Sequence, residues 1–179
     1  YDFLLGSRPC LGDFALYGPL YAHVWRDPAS RVRIESRMNV DAWLKRMTSP
    51  SGVEGEFLEN DEVPDTLNPI LSRLFKEQFP VLRETVKRVE KYLDENPGAK
   101  KIPRGLGKID FSIGGVGSRR VGMSFQQWMY QRVLDCFQSL NENGKREVLE
   151  FLKPLGGAEM IALKLKYRLK RNNFRIIPA

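Results

Sequence analysis

A proline stands inside the first apolar stripe of this chain. In "RPCLGDFALYGPLYAHV", Arg8 to Val24, the residues Phe14, Tyr17, Leu20, Tyr21 and Val24 recur at i, i+3 and i+4 spacing, which predicts a helix over 10–26. Gly18 and Pro19 interrupt it, and in an isolated helix they cost roughly 1 and 3 kcal/mol. A helix that keeps both is expected to be closely packed or bent there. Its first turn reads Cys10-Leu11-Gly12-Asp13. Asp13 stands where a capping-box acid accepts from the first amide, while the Cys10 sulfur is a weak acceptor where a hydroxyl is usual. Asp27-Pro28 is the expected stop, because a residue before proline avoids the α region.

Downstream, "NVDAWLKRM" predicts a short helix capped by Asn39, with Val40, Trp43, Leu44 and Met47 on one stripe. An acidic stretch without periodicity follows, and after it a helical pattern runs to Asn96. Leu67, Ile70, Leu71, Leu74 and Phe75 form its first stripe; Leu82, Val86, Val89 and Leu93 form its second, with a break expected at Pro80. "NPG" at 96–98 is a stop. Ile109, Phe111 and Ile113 alternate, then a Gly-rich turn leads to Val121 and Met123, which predicts a β-hairpin near 108–123. Ser124 is the expected cap of a helix burying Phe125, Trp128, Met129, Val133 and Phe137. Asn141 opens another, with Val148, Leu149 and Leu152 inward, that Pro154 stops. The end alternates leucines with cations and turns at Asn172-Asn173, a second hairpin near 163–177. The expected fold class is mainly α with one or two small hairpins, divided as 1–50, an acidic loop at 51–66, and 67–179.

The net charge of +7 is uneven: residues 1–50 carry seven basic against five acidic side chains, 51–98 six against eleven, and 99–179 sixteen against six. The last third is therefore the candidate for an anionic contact, through Lys164, Lys166, Lys170 and Arg171, with Tyr167 and Phe174 interleaved. Nucleic acid is not the expected partner: one hairpin supplies few phosphate contacts and no recognised motif accompanies it. "GGVGSRR" reads as a hairpin turn, since a phosphate loop would precede a helix. Cys10 and Cys136 lie 126 positions apart. Two such thiols are expected to be reduced in an intracellular setting, cytoplasmic or organellar, the mitochondrion included. No leader is expected at the start, and no apolar run reaches the roughly 18 residues a membrane span needs. With one histidine, His23, no metal site is expected.

"FLLGSRPCLGDFALYGPLYAHVWRDP" followed by "NVDAWLKRM" resembles the C-terminal helical domain of glutathione transferases, where a Ser/Thr-x-x-Asp box opens a central helix and a Trp-x-x-Arg-Met segment follows. Asp13 matches the box acid; Cys10 departs from its hydroxyl residue. Beyond residue 47, "GEFLENDEVPDTLNPILSRLFKEQFPVL" and "FQQWMYQRVLD" are similar to a long extension in a subgroup of bacterial-type members. The resemblance implies that helix 10–26 is the buried centre, with Cys10 and Asp13 as its cap. It also implies that a thioredoxin-like domain supplies the glutathione site and the activating residue. No β-α-β pattern precedes Arg8, so this chain is expected to carry no catalytic residue and no cofactor of its own; glutathione would be bound through that other domain, if present.

Under the resemblance this chain contributes the apolar co-substrate side, with Tyr17, Tyr21 and Trp25 as substrate-contacting candidates, although an aromatic stripe at helical spacing is more often core. The alternative is a non-catalytic scaffold or accessory subunit bound to a protein partner or to its own copies. Cys10 as a helix-terminal nucleophile is the sharp alternative to a structural thiol, opposed by the neighbouring Asp13. Cys136 is expected in or near the core, and His23 at the surface.

Overall fold

The computed structural model describes residues 1–49 and 54–179, so the beginning of the acidic loop, 50–53, lies outside the described residues. The chain divides into two compact units, Tyr1–Leu67 and Asn68–Ala179. It is mainly helical, with two separate antiparallel hairpins.

In the N-terminal unit, α1 (Leu11–Leu20) continues as one wide turn of π-helix over Tyr21–Trp25, then α2 (Pro28–Glu35) and α3 (Met38–Thr48) follow. The Gly18-Pro19 pair is accommodated without ending the helix. Pro19 has no amide to donate, and just past it the ladder widens, Arg26 N donating to Tyr21 O at 3.0 Å. Asp27-Pro28 is a start as well as a stop. Asp27 Oδ1 accepts from Ala29 N at 2.9 Å and Pro28 occupies the first turn, so α2, which the sequence reading passed over, begins there. The third helix starts two residues earlier than expected: Arg37 is its N-cap and Asn39 lies inside it. Among the described residues Phe3, Ile34, Leu44 and Met47 are buried apolar side chains of this unit. The described part of the acidic segment folds back on the N-terminus, where Gly6 bridges Phe57 and Ser7 N donates to Glu56 O at 3.0 Å. Gly6 has φ +138, and a Cβ there would stand 2.5 Å from Glu56 O, so a side chain would break the bridge.

In the C-terminal unit, α4 (Asn68–Glu77) and α5 (Phe79–Glu95) separate at Gln78, with Pro80 in the first turn of α5. Strands β1 (Gly105–Ile113) and β2 (Val116–Met123) pair around Gly114-Gly115, both at positive φ as a tight hairpin turn requires. Glu77 ties that turn to α4, its carboxylate accepting from Gly114 N at 2.8 Å and from Arg73 Nε at 2.9 Å. The hairpin lies on α5, and β2 approaches closely at Gly122, where a Cβ would meet Ile109 Cδ1 at 2.4 Å. Then come α6 (Ser124–Ser139), α7 (Glu142–Leu155), α8 (Ala158–Ala162), β3 (Leu169–Asn172) and β4 (Arg175–Pro178). Val89, Leu93, Ile102, Leu169 and Ile176 form one core cluster, joining α5, the 97–104 connection and the last hairpin.

Helix α6 turns the other way from its expected orientation. Phe125, Met129 and Val133 are exposed and Trp128 and Phe137 half-buried, while Ser124, Gln127, Tyr130, Gln131 and Leu134 are buried. Ser124 is not the cap: it lies within the first turn, and its hydroxyl donates to Pro103 O at 2.9 Å. Cys136, expected near the core, is exposed on the same helix. The buried side of α6 bonds to backbone. Gln131 Oε1 accepts from Leu169 N and its Nε2 donates to Leu169 O, both at 2.8 Å, and Gln127 Nε2 donates to Tyr167 O at 2.9 Å. The Tyr130 hydroxyl donates to Met160 O. These amides satisfy buried backbone that would otherwise lose its water without replacement.

Asn141 does cap α7, accepting from Gly144 N at 2.8 Å. Val148 and Leu152 are half-buried and Leu149 is exposed; Pro154 lies inside the last turn, and Gly156 at φ +80 ends the helix. The last hairpin is shorter than expected, its strands beginning at Leu169, and it turns at Asn173-Phe174 instead of Asn172-Asn173. Among the described residues no helix is long and apolar enough to cross a membrane.

Candidate functional site

Asp13 is the polar centre of the N-terminal unit. It is fully buried, and its carboxylate accepts from Cys10 N at 2.9 Å, Leu4 N at 3.2 Å and Trp43 Nε1 at 2.8 Å. One side chain thus closes the first turn of α1, holds the incoming 3–6 segment and anchors α3. The sequence identified the first of these bonds; the bond to Trp43, thirty residues away, had no local signal.

Asp13 points inward, so the opposite side of α1 points out. At 100° per residue Leu11, Phe14, Ala15 and Gly18 share that side, and all four are exposed, Leu11 at 85% and Phe14 at 58%. The expectation of a buried central helix is therefore corrected: in α1 Asp13 alone is buried. The outward side carries no charge, which is unusual for a wetted helix face.

Tyr17, Tyr21 and Trp25, at i, i+4 and i+8, form a stacked ladder with centroid separations of 5.1 and 5.5 Å. The polar atoms of Tyr17 and Trp25 are turned to α3. The Tyr17 hydroxyl donates to Thr48 Oγ1 at 3.5 Å and Trp25 Nε1 to Asp41 Oδ1 at 3.4 Å, while the Arg31 guanidinium lies 4.2 Å over the Trp25 ring. Half-buried and partnered, the three rings hold α1 and its π-turn against α3. His23 is exposed.

Cys10 occupies the N-cap position, with extended backbone at φ −102 and ψ 175. Burial pushes its thiol pKa up, and Asp13 adds to the rise by hydrogen bond and charge, outweighing the amides that favour thiolate. A nucleophile needs the opposite shift, so the geometry favours the structural role.

The four basic candidates near the C-terminus do not form one set. Lys164 and Lys170 are exposed. Lys166 is committed to α5, with its Nζ 2.6 Å from Asp94 Oδ1 and its amide donating to Glu90 Oε1 at 2.9 Å. Arg171 stacks between rings, 5.9 Å from Trp128 and 5.0 Å from Phe174. Hydrogen bonds from Lys166 and then Tyr167 hold the Asp94 carboxyl below its ordinary range. A depressed carboxyl pKa stabilises the fold above the unfolded value, and that contribution is lost as pH falls through the lower folded value. Followed by carboxyl-carbon NMR, Asp94 is therefore expected to titrate below the usual ~3.9, and in Lys166→Met to move back up; an unchanged midpoint in the variant would show the pair to be irrelevant to the titration.

Among the described residues no group of three His, Cys, Asp or Glu side chains is placed to hold a metal ion. Comparison with protein-family models, with curated proteins and with solved structures gives no match to this chain.

Proposed function

We propose that this chain is the helical part of a glutathione transferase-like protein and that it works as a docking module, the outward side of α1 seating a thioredoxin-like partner domain. The observation that carries the reading is the pairing of a fully buried carboxylate on one side of α1 with an uncharged, exposed Leu11-Phe14-Ala15-Gly18 side on the other. Exposed apolar surface of this kind marks interaction sites, and Gly18 lets a partner's backbone come close. The Asp13 hub gives the helix a fixed orientation from which to present that side. On this reading glutathione is handled by the partner domain. Tyr17, Tyr21 and Trp25, which the resemblance would make co-substrate contacts, act in packing, and that favours the scaffold or accessory role over catalysis by this chain.

Burying a Leu and a Phe side chain is worth about 1.5–3 kcal/mol each, so removing both should weaken docking by a hundredfold or more. Light scattering across a concentration series is expected to show the isolated chain pairing through this face, and the double variant Leu11→Glu/Phe14→Glu monomeric with an unchanged circular dichroism spectrum. Self-association of the double variant as strong as that of the wild type would contradict the reading. So would retention of the isolated chain on immobilised glutathione.

A further inference from the structure

The C-terminal unit contains a groove that the sequence, read segment by segment, does not assemble. It has a volume of about 950 Å³ and lies between the 101–104 connection, the start of α6 and the tip of the β3–β4 hairpin. Five cations line it, Lys101, Arg104, Arg120, Arg171 and Arg175, and no acidic residue does. Among the described residues none of the five makes an ion pair, whereas Lys166, Arg168, Arg88 and Arg73 elsewhere in the unit are each matched with an acid. The first turn of the sixteen-residue α6 also borders the groove, adding the positive end of its dipole.

The second observation is a residue out of place. The last hairpin turns at Asn173 and Phe174, both at positive φ, +43 and +62. The second position of such a turn is the preferred place of glycine, because a side chain is strained there. This chain places a phenylalanine there and leaves it 90% exposed. The ring adds nothing to the core. It lies on the groove rim, 5.0 Å from the Arg171 guanidinium, which in turn faces Trp128; Phe125, also exposed, lines the same groove. Strain retained for an exposed ring points to a ligand that the ring contacts.

We propose that this groove binds single-stranded nucleic acid, its bases stacking on the exposed Phe174 and Phe125 rings and its phosphates lying along the five unpaired cations. Stacking platforms interleaved with unpaired cations are what sequence-independent single-strand binding requires. The objection that one hairpin offers too few phosphate contacts falls away, because the cations come from the 101–104 connection, β2 and the hairpin together. The groove lies wholly within residues 68–179, so the inference does not depend on the docking role of α1.

Fluorescence anisotropy with a labelled oligothymidylate of about 12 nucleotides tests it on the full chain. The expected affinity falls as salt rises, with a log–log slope no steeper than about −3.5 for five phosphate contacts. Arg171→Ala/Arg175→Ala should flatten that slope by about 1.4. Phe174→Gly restores the residue the turn prefers, so it should melt no lower than the wild type while binding roughly tenfold or more weakly. Phe174→Gly binding at wild-type strength would overturn the proposal. Polyglutamate competing as well as the oligonucleotide would assign the groove to acidic peptides instead, and a duplex of equal length binding more tightly than the single strand would also count against it.

Discussion

Replacing Asp13 with alanine is expected to destabilise the N-terminal unit by about 3 kcal/mol or more, because it strands buried donors that one carboxylate had satisfied. Three donors converge on it: the Cys10 and Leu4 amides and the Trp43 indole. A unit of 67 residues has a total stability of roughly 3–10 kcal/mol, so the variant should populate a state in which α1 and α3 have come apart. Amide exchange is the appropriate measurement. Exchange at Leu44 and Met47, buried on α3, should accelerate sharply, while Val89 and Leu93 on α5 stay protected. Asp13→Asn should fall between the wild type and the alanine variant. Its amide oxygen can still accept from Trp43 and Leu4, but its NH2 group then confronts the Cys10 amide donor. Full protection of Leu44 in Asp13→Ala would mean that apolar packing alone holds the helices together.

The second large effect is expected at Gln131. Gln131→Leu keeps most of the side-chain volume but leaves both the amide and the carbonyl of Leu169 buried without a partner. At about 1–3 kcal/mol for each stranded group, the loss should amount to roughly 2–6 kcal/mol. It should appear in urea unfolding as a lower midpoint and in proteolysis as early cleavage around the last hairpin. Gln127→Leu is the control. Gln127 makes one of these bonds, to Tyr167 O, and among the described residues its Oε1 has no donor, so the leucine removes an orphan acceptor while stranding a single carbonyl. The Gln127 variant should therefore lose clearly less. Equal losses at the two sites would show that α6 is oriented by its apolar contacts and not by its amides.

These two side chains also mark where sequence reading succeeded and where it stopped. Signals that act within a few residues were legible: the break at Pro80, the Asn141 cap, the Gly114-Gly115 turn, and the inward stripe of Val86, Val89 and Leu93. So was the acid half of the cap at Cys10 and Asp13. The orientation of α6 was not legible. Phe125, Met129 and Val133 have the spacing of a core face, and nothing local says that Gln127 and Gln131 will bond the backbone at Tyr167 and Leu169, some forty residues on. Two glutamines at i and i+4 beside a tyrosine were the available hint. Of the stripe read on the first helix, Tyr17, Leu20, Tyr21 and Val24 are half-buried and Phe14 is exposed, while the outward Leu11, Ala15 and Gly18 belonged to no stripe. Periodicity identifies an apolar face but not whether the same chain covers it, and the buried side of α1 is held by a carboxylate that hydropathy counts as surface. The second helix was missed because Asp-Pro serves equally as the end of one helix and the cap and first turn of the next. The groove lay beyond sequence reading altogether, since its cations come from segments up to seventy-four positions apart.

The central claim is that α1 turns its carboxylate inward and its apolar side outward, ready for a partner. Hydroxyl-radical footprinting of Phe14 against Phe3 tests it within one unit, since Phe14 is 58% exposed and Phe3 only 6%. In dilute chain Phe14 should oxidise at the rate of a surface phenylalanine while Phe3 stays protected, and Phe14 should become protected as concentration rises and the face is covered. Phe14 as protected as Phe3 in a demonstrably monomeric sample would place α1 in the interior and contradict the account.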